Sequence, residues 1–583
     1  MNEDKIRVHD PLIIANCLNK HFSSIGEKMV AELNTENTNL KDPLLYVSKK
    51  VNNSIFLANT SVPEILNLIS KLLKKACGYD LISNSMLQKT AEVISPYIVS
   101  LFNLCINQGI FPDSFKIAKV IPLFKGGNKE DSNCYRPISL LPALGKLFEK
   151  IISKRVIAFF EKHKLFSPHQ FGFRAKFSTE YAVHDIYEKL LYNLDKGFSS
   201  CAVFLDLAKA FDSVSHSILL RKLKRYGIRG KVYQLFESYL SSRTQFVKVG
   251  NAISTCLEIK FGVPQGSILG PLLFLIFVND LPEATNFFIK LFADDTFLCA
   301  QNRNLKNLEK EVNNELQKVF IWLASNKLTL NIKKSKFMIF TNKKKDVHEL
   351  SIKINNKPLE KCTSYKYLGI FIDDKLNWKK HIEYVCKKVS KACGALAKIR
   401  HCTEVNLQRE IYYALFYSYI RYGISIWGNA SPINLSPLKV LNHRAARIMT
   451  FAPFGQIDLN PILSYLDILD VNDIFLLETA KLLFKVKNEM IPVTLGQYFE
   501  IRNANVTHRH NLRPRTNRVD TIDTRLQIGE KSLQYRGPKV WAEIPENIRD
   551  CSSFKSFKKE MKTYLLQLQN NDESPNFVPF PEP

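Results

Sequence analysis

Two adjacent carboxylates interrupt an apolar stretch, and they constrain the fold of this chain more than any other feature. The run FFIKLFA (287–293) precedes Asp294 and Asp295, and TFLC (296–299) follows them. Residues 287–300 therefore predict a hairpin of two buried strands with both aspartates at its turn. Burying an ionised carboxylate is costly unless it is paired or bound to a cation. The two aspartates thus either face water at the hairpin tip or hold a metal.

A third carboxylate, Asp206, ends a second apolar run, CAVFL (201–205). Continuous apolarity over so few residues predicts a fully buried strand. Because neighbouring strands lie only about 4.8 Å apart, carboxylates at the ends of two strands can converge. Such a trio suits a site for two Mg²⁺ ions (with Mn²⁺ as an alternative) about 3.5–4 Å apart that acts on phosphoryl oxygens.

Residues near these carboxylates suit a nucleotide. Phe211 could form the floor of a sugar pocket and exclude a 2′-hydroxyl. Gln265 and Gly266 belong to a Gly/Pro turn that lets the backbone approach a substrate closely. Lys125 and Arg136 flank a Gly-rich turn and could hold a triphosphate. Most of these residues also have an ordinary explanation. Phe211 could simply pack in the core, and Gly266 could begin a helix. Lys125 could be a surface lysine, and Arg136 could fix a loop.

The charge of the chain indicates a polyanionic partner. Its 583 residues include 82 Lys and Arg against 55 Asp and Glu, a net charge of +27 spread along the sequence. Nucleic acid is the simplest partner, and a membrane surface is the alternative. The N-terminus is not a signal peptide, and the longest apolar run, 268–278, is too short to span a bilayer. These features predict an intracellular protein, nuclear or cytoplasmic, without a membrane span.

The 12 cysteines are scattered without a CxxC pair, which excludes a zinc finger or knuckle. Isolated cysteines in a large chain are typical of small buried hydrophobic residues in a reducing compartment.

Hydrophobic periodicity predicts an α+β fold around an antiparallel sheet. Residues 1–60 predict short helices and loops. Strands are predicted at 116–124, 201–206, 244–249 and 287–300, and helices at 61–112, 145–164, 215–226 and 266–278. After about residue 375 the pattern is helical, with an apolar stripe from Trp378 to Ile399 and lysines largely off it. Those lysines form either a solvated face or a basic surface that follows a phosphate backbone.

Seven motifs in one order resemble those of a known family. They are YRPISLLP (135–142), QFGFR (170–174), Asp206-x4-Phe211, GVPQGS (262–267), FADD (292–295), NKLTLN (326–331) and YLGI (367–370). This series resembles the reverse transcriptases of non-LTR (LINE-type) retrotransposons of the jockey, CR1 and RTE kind.

The resemblance implies a right-hand polymerase with an antiparallel palm sheet and a helical C-terminal region. The implied divisions are an N-terminal extension (1–60), fingers (61–200), palm (201–345), primer-grip hairpin and helical thumb (346–460), a C-terminal helical region (461–569) and a disordered tail (570–583).

The resemblance also implies a role for each site residue. Asp206 and Asp294 would be the principal metal ligands, with Asp295 as the third carboxylate and the Leu207 carbonyl facing a metal. The other implied roles are a steric gate against ribonucleotides (Phe211), the lining of the incoming nucleotide (Gln265, Gly266), triphosphate binding (Lys125, Arg136) and the acid for the pyrophosphate leaving group (Lys334).

The implied function is RNA-directed DNA synthesis. The enzyme would use an RNA template, a DNA primer or target and dNTPs, and no stable protein partner can be inferred. A catalytically silent or host-adopted nucleic-acid-binding remnant is the alternative, and an intron-maturase-like splicing helper is a third interpretation. The chain would begin after the position of the N-terminal endonuclease domain that full-length elements carry.

Overall fold

The computed structural model describes residues 2–3, 6–7, 9–31, 40–343, 350–453, 459–496 and 523–570. Within them the fold is a mixed α/β structure, in which two five-stranded sheets are accompanied by helices. The α+β prediction is confirmed at this level. All but the first residue of the predicted disordered tail (570–583) lies outside the described residues.

The central sheet carries all three predicted carboxylates at one end. Its middle strand, Ser199–Asp206, is buried along nearly its whole length and pairs antiparallel with both neighbours. In spatial order the strands are Glu360–Lys361, Lys336–Phe340, Ser199–Asp206, Asp295–Asn302 and Phe288–Phe292. The hairpin predicted over 287–300 is present, but Asp295 begins the return strand rather than lying in the turn.

The second sheet is covered by a long N-terminal helix. Its strands are Tyr135–Leu140, Ile117–Phe124, Arg243–Val249, Ala252–Ile253 and Leu257–Ile259. The helix Pro11–Ala31 buries Leu18, Phe22 and Ile25 against Val120 and Val247. The prediction of only short helices and loops over residues 1–60 is therefore wrong for this 21-residue helix.

Helices pack beside both sheets in the first 330 residues. Gly109 ends one of them in a left-handed conformation (φ +73°), as its position predicts. The helices after Pro11–Ala31 are Val62–Ser70, Asn84–Lys89, Ala91–Gln108, Ala143–Lys162, Thr179–Asp195, His216–Arg225, Gly230–Leu240, Leu269–Val278 and Leu305–Ser325. Short 3-10 turns cover Pro43–Tyr46, Asp113–Phe115, Ser132–Cys134 and Leu281–Ala284.

The later part of the chain is helical, and its core is shared with the helix Thr179–Asp195 and with one face of the central sheet, at Phe204, Phe297 and Met338. A small hairpin, Ser364–Tyr367 with Ile370–Asp373, precedes it. The predicted apolar stripe is buried at Trp378, Ile382 and Val389. The helices are Lys379–Ile399, Val405–Tyr412, a π-helical turn Tyr413–Tyr417, Ser418–Arg421, Ile424–Trp427, Pro432–Thr450, Asn460–Tyr465, Val471–Lys487, Val493–Gly496, Gln527–Glu530, Leu533–Glu543, Glu546–Arg549 and Phe554–Asn570.

Two small two-stranded pairs complete the described strands, Asn2–Glu3 with Ile6–Arg7 and Lys353–Ile354 with Lys357–Pro358. None of the twelve cysteines, all of which lie in the described ranges, forms a disulfide bond, but their predicted burial is wrong for Cys256 and Cys402, which are exposed. Across the described ranges no helix is both long enough and apolar enough to span a membrane.

Candidate active site

The three carboxylates meet where the middle strand and the hairpin of the central sheet end together. Asp206 is the last residue of its strand, and Asp295 lies directly opposite it in the antiparallel register. Asp294 occupies the turn, after Ala293 in a left-handed conformation (φ +57°). Asp206 and Asp294 are partly exposed, and Asp295 is the most exposed of the three.

Crowding by protein atoms and mutual repulsion raise the pKa of two of these carboxyl groups. Desolvation by surrounding protein atoms, then the charges of Asp294 and Asp206, raise the pKa of Asp295 to about 6. Desolvation likewise raises the pKa of Asp206, with Asp294 adding to the rise, although Lys334 opposes it from 3.9 Å (Nζ to Oδ2). Within the described ranges, no three His, Cys, Asp or Glu side chains are arranged to hold a metal ion as they stand. A cation arriving at this end of the sheet would relieve the repulsion among the carboxylates.

An open cleft of about 970 Å³ brings nine of the ten predicted site residues together. Asp295 is the exception, and it lies opposite Asp206 at the end of the neighbouring strand. The nine that line the cleft are Lys125, Arg136, Asp206, Leu207, Phe211, Gln265, Gly266, Asp294 and Lys334.

A group of cations shares the cleft with the carboxylates. Desolvation, then the charges of Arg136, Lys209 and Lys334, lower the pKa of Lys125. Lys209 was not among the predicted residues, although it lies inside the Asp206-x4-Phe211 motif. Its backbone is left-handed (φ +49°), and its Nζ is buried with no hydrogen-bond partner in the described part of the chain. Several cations gathered in one open cleft suit a polyanion such as a triphosphate.

Gln265 is held between the two sides of the cleft. Its side-chain Nε2 donates to both carboxylate oxygens of Asp212 at 2.8 Å. Its backbone carbonyl accepts a hydrogen bond from the Ser139 amide at 2.8 Å. Desolvation raises the pKa of Asp212 to about 6, although the hydrogen bond from Gln265 acts to lower it. Asp212 is a second residue that the sequence did not single out; the only available signal was a carboxylate directly after Phe211.

Phe211 lines the cleft while its ring is fixed from behind. It stacks on the buried Phe274 with ring centroids 4.6 Å apart and 27° between the planes. Its carbonyl accepts from the Val263 amide at 2.8 Å, which ties it to the Gly/Pro turn that carries Gln265. The position of the ring is therefore determined by the core as well as by the cleft.

The segment that carries Lys334 is fixed beside Asp206. The Asn331 amide donates to the Asp206 carbonyl at 2.8 Å, and the Asp206 amide donates to Ser335 Oγ at 3.2 Å. The neighbouring Lys336 pairs with Glu360 instead, at 2.7 Å. Lys334 is thus the lysine of this segment that faces Asp206.

Substitution of Gly266 by alanine is expected to destabilise the protein and to displace the Gly/Pro turn that carries Gln265. Gly266 has φ +132°, and an added Cβ would overlap the Ser139 carbonyl oxygen, next to the bond that holds Gln265. Such a backbone conflict costs about 1–3 kcal/mol. Gly250→Ala is the matched control, because Gly250 also has positive φ (+59°) but open space around it. Thermal unfolding should show a clearly larger loss for Gly266→Ala, and equal losses would contradict the steric argument.

Comparisons with known proteins agree with this architecture. Residues 127–372 match the family model described as reverse transcriptase (RNA-dependent DNA polymerase). The chain is 30% identical over 423 residues to the RNA-directed DNA polymerase from mobile element jockey of Drosophila melanogaster. The aligned residues cover 70% of this chain and 46% of that relative. It is 30% identical over 406 residues to the probable RNA-directed DNA polymerase from transposon BS of the same species, 67% of this chain and 45% of the relative. The jockey polymerase of Drosophila funebris is also 30% identical, over 68% of this chain and 44% of its own length.

The fold and the matched region define a reverse transcriptase domain over residues 127–372. More particularly, the chain is similar to the RNA-directed DNA polymerases of non-LTR retrotransposons of the jockey kind, as its motifs predict. It spans about half the length of the curated relatives it matches.

Proposed function

We propose that this chain is an RNA-directed DNA polymerase that extends a DNA strand on an RNA template by nucleotidyl transfer from dNTPs. The observation that carries the proposal is the cleft, in which carboxylates at the end of a central sheet lie together with a group of lysine and arginine side chains. Carboxylates suit the binding of divalent ions at the reacting phosphate, and the cations suit the rest of a triphosphate.

The right-hand division of the chain belongs to the same proposal. The central sheet with its carboxylates would be the palm (201–345), and the segments before it would include the fingers (61–200). The hairpin Ser364–Tyr367 with Ile370–Asp373 would be the primer grip and the helices after it the thumb (346–460), before the C-terminal helical region (461–569). The core of the helical part also includes one face of the central sheet, so in this proposal the thumb helices would pack directly on the palm.

The carboxylates fit a hard divalent cation. Asp206 and Asp294 would be the principal ligands, with Asp295 and the Leu207 carbonyl completing an all-oxygen donor set. Two Mg²⁺ ions, or Mn²⁺ instead, would activate the attacking oxygen and stabilise the leaving oxygen. Mg²⁺ sites of this kind use one or two carboxylates together with substrate phosphates. This is consistent with carboxylates that do not form a complete metal site by themselves.

The remaining cleft residues would position the nucleotide. Lys125, Arg136 and Lys209 would hold the triphosphate, and Phe211 would lie against the sugar and exclude a 2′-hydroxyl. Lys334 would supply the proton to the pyrophosphate leaving group, which is consistent with its place 3.9 Å from Asp206.

A nucleic-acid-binding protein without catalysis is the second candidate. The net charge of +27 and the exposed lysines of the helix Lys379–Ile399, such as Lys379, Lys387 and Lys391, favour binding. The presence of all three carboxylates favours catalysis over this alternative.

Primer extension decides between the two. The full chain is incubated with a DNA primer on an RNA template, dNTPs and Mg²⁺, and we expect extension by the wild type and none by Asp294→Ala. Asp113→Ala is the matched control, because Asp113 is an exposed carboxylate that pairs with Lys116 outside the cleft. Tight RNA binding with no extension by the wild type, or equal extension by Asp294→Ala, would contradict the proposal.

A further inference from the structure

Gln170 is buried against the turn that carries Asp294. Its side chain is fully shielded from solvent, and its Oε1 accepts hydrogen bonds from the amides of Gly172 at 2.8 Å and Ala293 at 3.2 Å. Because two N–H donors face the same atom, that atom has to be the oxygen of the amide group. Gln170 therefore supplies an acceptor to the residue immediately before Asp294.

The backbone around Gln170 is fixed to the edge of the central sheet. The Leu291 amide donates to the His169 carbonyl at 2.9 Å, and the Phe171 amide donates to the Leu291 carbonyl at 2.8 Å. These bonds lie on both sides of Gln170, which forms a parallel bridge with Leu291. The position from which Gln170 reaches the turn is thus set by main-chain pairing.

Gly172 lets this segment lie directly against the turn. A Cβ added at Gly172 would come within 2.6 Å of the Ala293 nitrogen and 3.1 Å of the Phe292 carbonyl carbon. A side chain at that position would displace the turn. The close approach shows that residues 170–172 and the turn before Asp294 pack as one unit.

The turn needs such support because its backbone is strained. Ala293 is a non-glycine residue with φ +57°, a conformation that persists only where the surroundings enforce it. The Gln170 Nε2 is buried without a hydrogen-bond partner in the described part of the chain. An unsatisfied buried amide opposes folding, so the useful part of this side chain is its oxygen.

We propose that Gln170 is a positioning residue for nucleotidyl transfer. By accepting the Ala293 N–H it fixes the turn, and thereby sets Asp294 and Asp295 in relation to Asp206 across the strand register. This inference rests on the proposed polymerase function, since positioning matters only where the carboxylates act together.

The test compares Gln170→Leu, which removes the acceptor, with Gln170→Glu, which keeps an oxygen at the same place. We expect Gln170→Leu to lower the extension rate at saturating dNTP by about 10- to 100-fold, because small displacements of reacting groups have effects of that order. The Mg²⁺ concentration for half-maximal rate should rise, while KM for dNTP changes little. Gln170→Glu should recover most of the rate. An unchanged Mg²⁺ dependence in Gln170→Leu would overturn the inference.

A matched control separates positioning from general destabilisation. Asn193 is an equally buried amide that donates to Ser200 Oγ at 2.9 Å, near the opposite end of the strand that carries Asp206. Asn193→Leu should lower the thermal midpoint without the change in Mg²⁺ dependence. If Asn193→Leu reproduces the whole kinetic effect at equal loss of stability, Gln170 has only a structural role.

Amide hydrogen exchange gives a readout that does not require activity. Gln170→Leu should accelerate exchange in the peptide that contains Ala293 and Asp294, and Asn193→Leu should not. If the wild type fails to extend a primer, the proposed function is wrong, whereas the exchange result still decides whether Gln170 fixes the turn. Unchanged exchange in Gln170→Leu would overturn the inference even in an active enzyme.

Discussion

Replacing Asp206 by asparagine is expected to lower the rate of primer extension by at least about 10³-fold. Metal ions at such a site supply several kcal/mol of transition-state stabilisation, and each 1.4 kcal/mol corresponds to about a factor of ten. Asp206 lies at the end of the middle strand and opposite Asp295, so a neutral amide there would remove the proposed metal ligand on this strand. Single-nucleotide incorporation at saturating dNTP, with Mg²⁺ varied, measures the loss.

The stability of the same variant shows whether that loss is chemical. Burial raises the pKa of Asp206, so the folded state binds a proton more tightly than the unfolded state. The stabilisation from this group is present at low pH and is lost as the pH rises through the folded-state pKa. At neutral pH, in the absence of metal, Asp206→Asn should therefore unfold at the same temperature as the wild type or higher. Extension near the wild-type rate would contradict the assigned role, and so would an equal loss in Asp113→Asn.

The sequence predicted the central sheet because its signals are local. The continuous apolar run before Asp206 and the two runs around Asp294 each indicate a buried strand without any knowledge of the rest of the chain. Their pairing then follows from the need to bury them together. What local pattern could not fix was the residue at which the return strand begins, and one residue of difference places Asp295 in the strand instead of the turn.

The residues that the sequence missed act through partners distant in the chain. Asp212 holds Gln265 from 53 positions away, and Gln170 reaches Ala293 across 123 positions. Neither contact produces a periodic pattern in the amino-acid sequence. The helix Pro11–Ala31 was missed for a related reason, since it buries the polar Asn19 on its packed face, where the side chain bonds to Gln245 of the second sheet.

Replacing Phe211 by valine is expected to weaken discrimination against ribonucleotides by about 10- to 100-fold. A rigid ring that clashes with an extra hydroxyl opposes binding by the 1–3 kcal/mol typical of overpacking, which corresponds to a factor of that order. The ring of Phe211 cannot retreat, because it stacks on Phe274 with centroids 4.6 Å apart, inside the core. The ratio of kcat/KM for a dNTP to that for the matching rNTP, on the same RNA template, measures the change.

Phe274→Leu is the control that separates ring size from packing. This substitution removes the support behind Phe211 but leaves its ring at the edge of the cleft. If the ring itself excludes the 2′-hydroxyl, Phe274→Leu should relax discrimination much less than Phe211→Val, even though both variants lose core packing and stability. Equal relaxation in the two variants would mean that the rigidity of the core, and not the size of the residue facing the sugar, selects deoxynucleotides. An unchanged ratio of kcat/KM values in Phe211→Val would show that Phe211 does not select deoxynucleotides, because valine cannot replace the volume that the ring excludes.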